Sequence, residues 1–382
     1  MIKSLLLAPG PTPVPPRVLL AMAHPIMHHR TPQFSTLFGE VRDGLRALFQ
    51  TAQDVLILAA SGTGAMEAAV ANCFAAGDEA IVINGGKFGE RWLKLCGAFE
   101  VEAVEIQVEW GRAVQPEQLD AALRAHPRVR GVLVQASETS TTAVHPIESL
   151  AALTRKRDLL LVVDGITAVG VYDLPMDAWG IDVLITGSQK ALMLPPGLAL
   201  IALSERAWAR AQETSQRRYY FDLARERTNQ LKNTTAYTPA ISLVVGLREA
   251  LAMIQEEGLP NVFARHERMA RATRAAAAAL GCRLVAPDAP SPAATGIYVP
   301  DGVDGGKLVA YLRDRMHVTF AGGQDQLKGR IVRIAHLGYM GAFDTVAAIA
   351  AFEMALRHFG HRVELGRGVG AAETELMSAL PK

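Results

Sequence analysis

Cysteine is scarce: Cys73, Cys96 and Cys282 are the only three in a chain of 382 residues. They lie far apart, are odd in number and form no CxxC pair. That spacing argues against a disulfide framework or a zinc site and points to a reducing compartment. Charge of one sign is missing too, with 39 basic against 38 acidic residues and a formal net charge of +1. No Lys/Arg cluster stands out, so neither nucleic acid nor a membrane surface is implied as a partner. Long hydrophobic runs are absent. No stretch reaches the roughly 18 apolar residues of a spanning helix. The opening MIKSLLLAPGPTPVPP turns Pro-rich after a few apolar residues, too soon for a signal segment. The expected location is therefore the cytoplasm.

What is present is a large buried core: half of the residues are hydrophobic and a fifth are charged. This length suits one large domain and one smaller one. DVLILAASG, EAIVINGG, GVLVQAS, LLLVVDG, DVLITGS and LALIALS are continuous Val/Ile/Leu runs, as in strands buried on both faces. Between them GAMEAAVANCFA, EQLDAALRAH and IESLAALTRK place apolar residues at helical spacing. The alternation predicts an α/β fold with a mostly parallel sheet, whose ligands bind at the carboxyl ends of the strands. After about residue 258 long helices dominate. NVFARHERMARATRAAAAALG is amphipathic, CRLVAP, ATGIYVP, HVTFAGG and GRIVRIAHLG are short apolar runs, and FDTVAAIAAFEMALRHFG reads as a last helix. The expected organisation is an N-terminal arm and active-site loop (1–20), a large domain (21–258), a smaller α+β domain (259–362) and a peripheral tail (363–382).

Three segments carry chemistry. In ASGTGAMEAAV a strand gives way to Ser61-Gly62-Thr63-Gly64 and a helix. Small residues allow close approach of an anion to free N–H groups and the positive end of the helix dipole; an ordinary strand-to-helix turn has the same look. In LLLVVDG, Asp164 ends the most hydrophobic strand, where a carboxylate needs a partner. A pyridinium nitrogen is one such partner and a helix N-cap is the other. In DVLITGSQKALMLPPG, Lys190 follows Thr186, Gly187, Ser188 and Gln189. Desolvation there would yield the neutral amine that condenses with an aldehyde, while an exposed loop lysine is the plainer reading.

The order of phosphate turn, acidic strand end and lysine resembles the fold-type I pyridoxal-phosphate enzymes. In detail the chain resembles the class V aminotransferases, in the alanine/serine–glyoxylate aminotransferase branch. The likeness runs from Ala8 to Gly338, and GSQKALMLPPG, ASGTGAMEA and GKFGERW carry it most specifically. It implies a large domain with a seven-stranded type of sheet, pyridoxal 5′-phosphate as cofactor, and a homodimer with a shared active site. Cyanobacterial members bearing the name of a soluble hydrogenase subunit are especially similar, although the cysteine pattern offers no nickel or iron–sulfur ligand set.

By this resemblance Lys190 holds the cofactor as a Schiff base and moves the substrate Cα proton, while Asp164 pairs with the ring nitrogen. Ser61, Gly62 and Thr63 take the phosphate-turn positions, with Gln189 as a further phosphate contact. Phe88 takes the place of a stacking aromatic ring, with core packing as its alternative. Thr139 matches a hydroxyl that bonds the cofactor's phenolic oxygen, and Glu138 reads as its structural partner. Relatives usually have glycine where this chain has Thr142. Thr234 and Thr235 in NTTAYTPAIS, with Tyr237 close behind, look like the reach of the neighbouring subunit to the phosphate; Thr-rich turn chemistry is the alternative. Arg333 matches the substrate-carboxylate anchor, a task suited to its planar fork. Arg330, by odd spacing, falls on the opposite strand face. Gly10, with Pro9 and Pro11, is expected to line the substrate pocket, and His28, His29 and Arg30 to form either a second active-site loop or a polar helix entrance.

The implied activity is a ping-pong exchange, through Lys190, between a small amino acid (alanine or serine) and a 2-oxo acid such as glyoxylate. Ureidoglycine as donor is the nearest alternative, because one or two pocket residues set such a choice. A non-catalytic subunit of a larger complex is the alternative of a different class. A desulfurase ranks low for want of a cysteine in a Gly/Ser-rich lid.

Overall fold

The computed structural model describes residues 4–377; the first three residues and the last five of the expected tail lie outside the described residues. Seven strands form the large sheet: β1 (Val55–Leu58), β2 (Glu79–Asn84), β3 (Glu102–Gln107), β4 (Val129–Gln135), β5 (Leu160–Asp164), β6 (Val183–Gly187) and β7 (Ala199–Leu203). Their spatial order is β1-β7-β6-β5-β4-β2-β3. All run the same way except β7, which is antiparallel to both β1 and β6. The apolar runs fall where burial demands them. Every residue of β1, β5, β6 and β7 is buried, whereas the edge strand β3 is largely exposed and its sequence, EAVEIQ, alternates accordingly.

Helices cover both faces of this sheet and give it two cores. One side packs helix Pro32–Phe49 and helix Ile241–Glu257 over residues such as Ile57, Val134, Val163 and Leu184. The other packs helix Gly62–Cys73 and helix Lys87–Ala98 over Leu58, Val82, Leu133 and Val162. Alternate strand residues thus face opposite cores, as the pleat requires.

The smaller unit has a three-stranded antiparallel sheet of β8 (Ala294–Tyr298), β9 (Ala321–Gly322) and β10 (Ile331–Ala335), ordered β8-β10-β9. Helix Leu259–Ala279 starts at the change of composition near residue 258, but it is shared: Val262 joins the large core while Met269 to Ala277 join the small one. HVTFAGG is not one strand. Val318–Thr319 pairs with Leu5–Leu6 of the N-terminal arm, and Ala321–Gly322 pairs with β10. CRLVAP contributes only an isolated bridge at Leu284.

The expected peripheral tail requires correction over its described part. Residues Arg367–Met377 form a helix against Leu259–Ala279 and Ala342–His358, with Ala372 and Leu376 buried in the small core. Buried Glu353 accepts hydrogen bonds from the N–H groups of Gly366, Gly368 and Val369, which fixes the start of that helix. The polar, Gly-rich opening of the segment hid an amphipathic turn that the small core needs.

Candidate active site

Five strand ends converge on one cavity of about 100 Å³, where the loops leave the carboxyl side of the large sheet. A larger groove of about 760 Å³ lies between helices Pro32–Phe49 and Ile241–Glu257, among Glu40, Leu48, Arg248 and Leu251. It contains none of the chemically suggestive residues, so size does not locate the site here. Chemistry does.

After β1 the chain turns at Ser61, which is extended (φ −83°, ψ 168°) and makes no side-chain cap of its own. The helix Gly62–Cys73 therefore begins with N–H groups that lack an intrahelical partner and with a free hydroxyl. A Cβ at Gly62 would lie 2.4 Å from Ile166 Cδ1, so any larger residue there would have to displace the Ile166 side chain.

Asp164 closes β5 and is 5% exposed. Among the described residues its carboxylate accepts one hydrogen bond, from the Ile166 N–H at 2.9 Å to Oδ1. Burial pushes its carboxyl up to about 7, aided by the charge of Glu138 and opposed by that bond, Arg91 and Lys190. Lys190 follows β6 in a loop tied by Ser188 Oγ to Pro195 O and by Leu198 N–H to Ser188 Oγ. Desolvation pulls its amine down to about 8, with Arg333 adding to the effect and Asp164 opposing it. The Lys190 Nζ donates to Pro9 O at 2.7 Å, and Thr12 Oγ1 donates to Lys190 O at 2.8 Å, so the N-terminal arm braces the lysine. Gly10 sits against that amine with φ +142°, a conformation open to glycine, and a Cβ would fall 2.1 Å from Nζ.

Buried Glu138 organises the opposite wall. Its Oε2 accepts from Phe88 and Gly89 N–H at 3.0 and 3.1 Å, and its Oε1 from Ser140 N–H and Oγ at 3.1 and 2.5 Å. It acts as a structural partner for the Phe88 turn, not as an acid facing the cavity. Burial raises its carboxyl and these four donors hold it down. Thr139 shares a 2.8 Å hydrogen bond with Thr167 Oγ1. Arg333, on β10 and 8% exposed, donates from Nη1 to Thr139 O at 2.7 Å and from Nε to Gly322 O at 3.1 Å. Burial lowers its guanidinium to about 10. Neither bond uses Nη2, and Arg330 is exposed.

Of the residues singled out from sequence, Ser61, Gly62, Thr63, Phe88, Thr139, Asp164, Gln189 and Lys190 line this cavity. Gly10 and Arg333 border it through Lys190 and Thr139. Thr234 and Thr235 do not line this cavity. Thr234 Oγ1 instead accepts from Arg30 Nη1, and Thr235 Oγ1 donates to Tyr237 O. The His28–Arg30 loop and the NTTAYTPAIS segment, read separately, thus meet on one surface. Sequence reasoning missed Arg91, Ser137, Ile166 and Thr167 as lining residues. Arg91 carried a signal: it stands three residues after Phe88 on one helix and shares its face.

The scaffold and this cavity define a group-transfer enzyme of the fold-type I aminotransferase class. The chain belongs to the aminotransferase class-V family, whose model matches residues 5–334. It is 41% identical to the "soluble hydrogenase, small subunit" of Synechococcus sp., over 99% of each chain. It is 35% identical to the serine–glyoxylate aminotransferase of Methylorubrum extorquens, over 97% of this chain and 95% of that one. The solved alanine–glyoxylate aminotransferase of Nostoc sp. superposes with a TM-score of 0.89 at 31% identity, covering 94% of this chain and 96% of that one. The reaction class is transamination.

Proposed function

We propose that the chain binds pyridoxal 5′-phosphate at Lys190 and passes the amino group of a small amino acid, alanine or serine, to glyoxylate. The observation that carries this is the pairing of a desolvated amine at Lys190 with an under-satisfied buried carboxylate at Asp164 in a cavity that ends on a free helix N-terminus. The residues fit the group. Asp164 has room for a cationic ring nitrogen, the Ser61–Thr63 turn presents N–H and hydroxyl donors to a phosphate, and Gln189 faces the cavity with an amide whose Nε2 can donate to the same group. Phe88 supplies a ring on the wall and Thr139 a hydroxyl.

Once bound, the cofactor supplies an aldehyde that takes up the amino group and a ring that delocalises charge from the substrate Cα. The protein's share is placement and proton handling. Arg333 receives the substrate carboxylate on its fork, which orients the Cα hydrogen towards Lys190. The Lys190 amine, depressed by burial, takes that proton and returns it at the other end of the exchange. Asp164, kept ionic by its partner, holds the ring nitrogen protonated. Closure of the arm residues Pro9 and Gly10 over the amine excludes water from it.

The two aminotransferases named above differ in donor and share glyoxylate, which supports glyoxylate as acceptor more than any single donor. A desulfurase role finds no support, since all three cysteines are buried and their thiols are pushed up to about 11 or 12. A purely non-catalytic role leaves the convergence of Lys190, Asp164 and Arg333 without a purpose.

Dimerisation completes the reading. Tyr219, Tyr220 and Leu231 are exposed, Tyr220 stacks on Tyr237, and Phe221 borders Gly64 of the phosphate turn. An apolar, Arg30- and Thr234-bearing surface beside the phosphate turn suits a second copy of this chain, whose Thr234 would reach across, backed by buried Thr235. A cytoplasmic setting accords with three free thiols; among the described residues no helix is long and apolar enough to cross a membrane.

The test is spectroscopic. Purified protein should absorb near roughly 400 nm, as expected of a Schiff-base lysine, and Lys190→Ala should lose the band and the transamination. Alanine, serine, aspartate and ureidoglycine, each offered in a half-reaction, rank the donors. A protein that stays colourless with added pyridoxal phosphate refutes the cofactor assignment; a coloured protein inert to alanine and serine refutes the donor assignment.

A further inference from the structure

Arg91 has no task in the scheme above. It lies on helix Lys87–Ala98 one turn beyond Phe88, and its side chain lines the same cavity as Asp164 and Lys190. Its Nη1 donates to Thr63 Oγ1 at 3.0 Å, and its Cζ stands 4.8 Å from the centre of the Phe88 ring. Among the described residues it forms no ion pair, and the nearby Glu90 pairs with Lys87 and Lys94 instead. Of the two carboxylates close to the cavity, Glu138 is committed to four donors, and Asp164 feels the charge of Arg91 but forms no ion pair with it among the described residues.

A partly buried guanidinium without a counter-ion is costly unless an anion arrives. The anion that fits is one seated on the Ser61–Thr63 turn, because Arg91 is bonded to that turn. The bond also sets the direction of a proton. Thr63 Oγ1 accepts from Arg91, so its own hydrogen is free to point away from the guanidinium and donate to an oxygen in the cavity. Charge-assisted hydrogen bonds of this kind are the strong ones.

We propose that Arg91 is a phosphate-side binding residue: it orients the Thr63 hydroxyl as a donor and supplies the positive charge that makes this cavity select a phosphorylated pyridine aldehyde over an unphosphorylated one. The inference rests on the pyridoxal-phosphate reading above and adds to it the residue that reads the phosphate. Cation–π contact with Phe88 holds the guanidinium on that side of the cavity. Arginine is suited to this and lysine only partly, because one planar group must serve a hydroxyl and an anion together.

The test compares two ligands that differ only in the phosphate. Dissociation constants of pyridoxal phosphate and of pyridoxal are measured by absorption titration on full-length, cofactor-free protein, for the wild type, Arg91→Met, Arg91→Lys and Thr63→Val. In Arg91→Met the affinity for pyridoxal phosphate should fall about 10- to 100-fold, the range of one lost charged hydrogen bond, while pyridoxal should change by less than about 3-fold. Arg91→Lys should recover part of the loss, and Thr63→Val should lose less than Arg91→Met. Inorganic phosphate should compete with pyridoxal phosphate on the wild type and compete less on Arg91→Met. Equal weakening of both ligands overturns the proposal and leaves Arg91 as a support for Phe88; so does an unchanged preference. Should Arg91→Met not fold, the ligand ratio in Arg91→Lys and Thr63→Val decides in the same way. A wild type that binds neither ligand sinks the cofactor reading itself, a result separate from either of these.

Discussion

Replacing Asp164 by Asn should stabilise the cofactor-free protein, and should do so more as pH rises. The carboxyl is 5% exposed, carries one hydrogen bond and is pushed from 3.8 up to about 7 by burial. An acid raised in the folded state contributes stability that is complete below its unfolded value and is lost as pH rises through its folded value. The window is therefore about pH 4 to 7, and the difference corresponds to at most about 4 kcal/mol above it. Asparagine keeps an oxygen for the Ile166 N–H and removes the charge, so the variant escapes this loss. Urea unfolding of both cofactor-free proteins should show the Asn variant ahead by about 1–2 kcal/mol at pH 5 and by about 3–4 kcal/mol at pH 8. Added pyridoxal phosphate should reverse the order, because only the carboxylate gains a cationic ring partner. A stability difference that does not change with pH would refute the reasoning, since it would mean that Asp164 is already satisfied without a ligand.

Arg333→Lys keeps a charge but loses the fork that holds Thr139 O and Gly322 O and that, in the function proposed here, receives the substrate carboxylate. Steady-state kinetics should show kcat/KM for the amino donor down by about 10²-fold or more, mainly through KM. Glu138→Ala leaves the N–H groups of Phe88, Gly89 and Ser140 without their acceptor and should cost about 3–5 kcal/mol in chemical unfolding. Truncation after Gly366 removes buried Ala372 and Leu376 and two of the three N–H donors to buried Glu353. Thermal melts should show the loss, of at least about 3 kcal/mol; an unchanged melting temperature would return this segment to the periphery.

Sequence alone determined the parts whose physics is local. β1, β5, β6 and β7 are continuous apolar runs because a strand buried on both faces admits little else, and each small-residue turn after them marks a strand end. Lys190, Asp164 and Ser61–Thr63 were legible for the same reason: a lysine, an acid and a glycine-rich turn at such ends are out of place unless something binds there. Tertiary structure decided what depends on distant partners. Glu138 read as a structural partner from sequence, but what it holds was visible only once four donors from two segments closed on it. Arg91, which sequence alone did not single out, gains a direction from Thr63, 28 residues earlier, and from the lack of an ion pair among the described residues. The tail looked peripheral because the small core that needs Ala372 and Leu376 is assembled from helices nearly 100 residues apart in the chain, and no local pattern reports a surface that only folding creates.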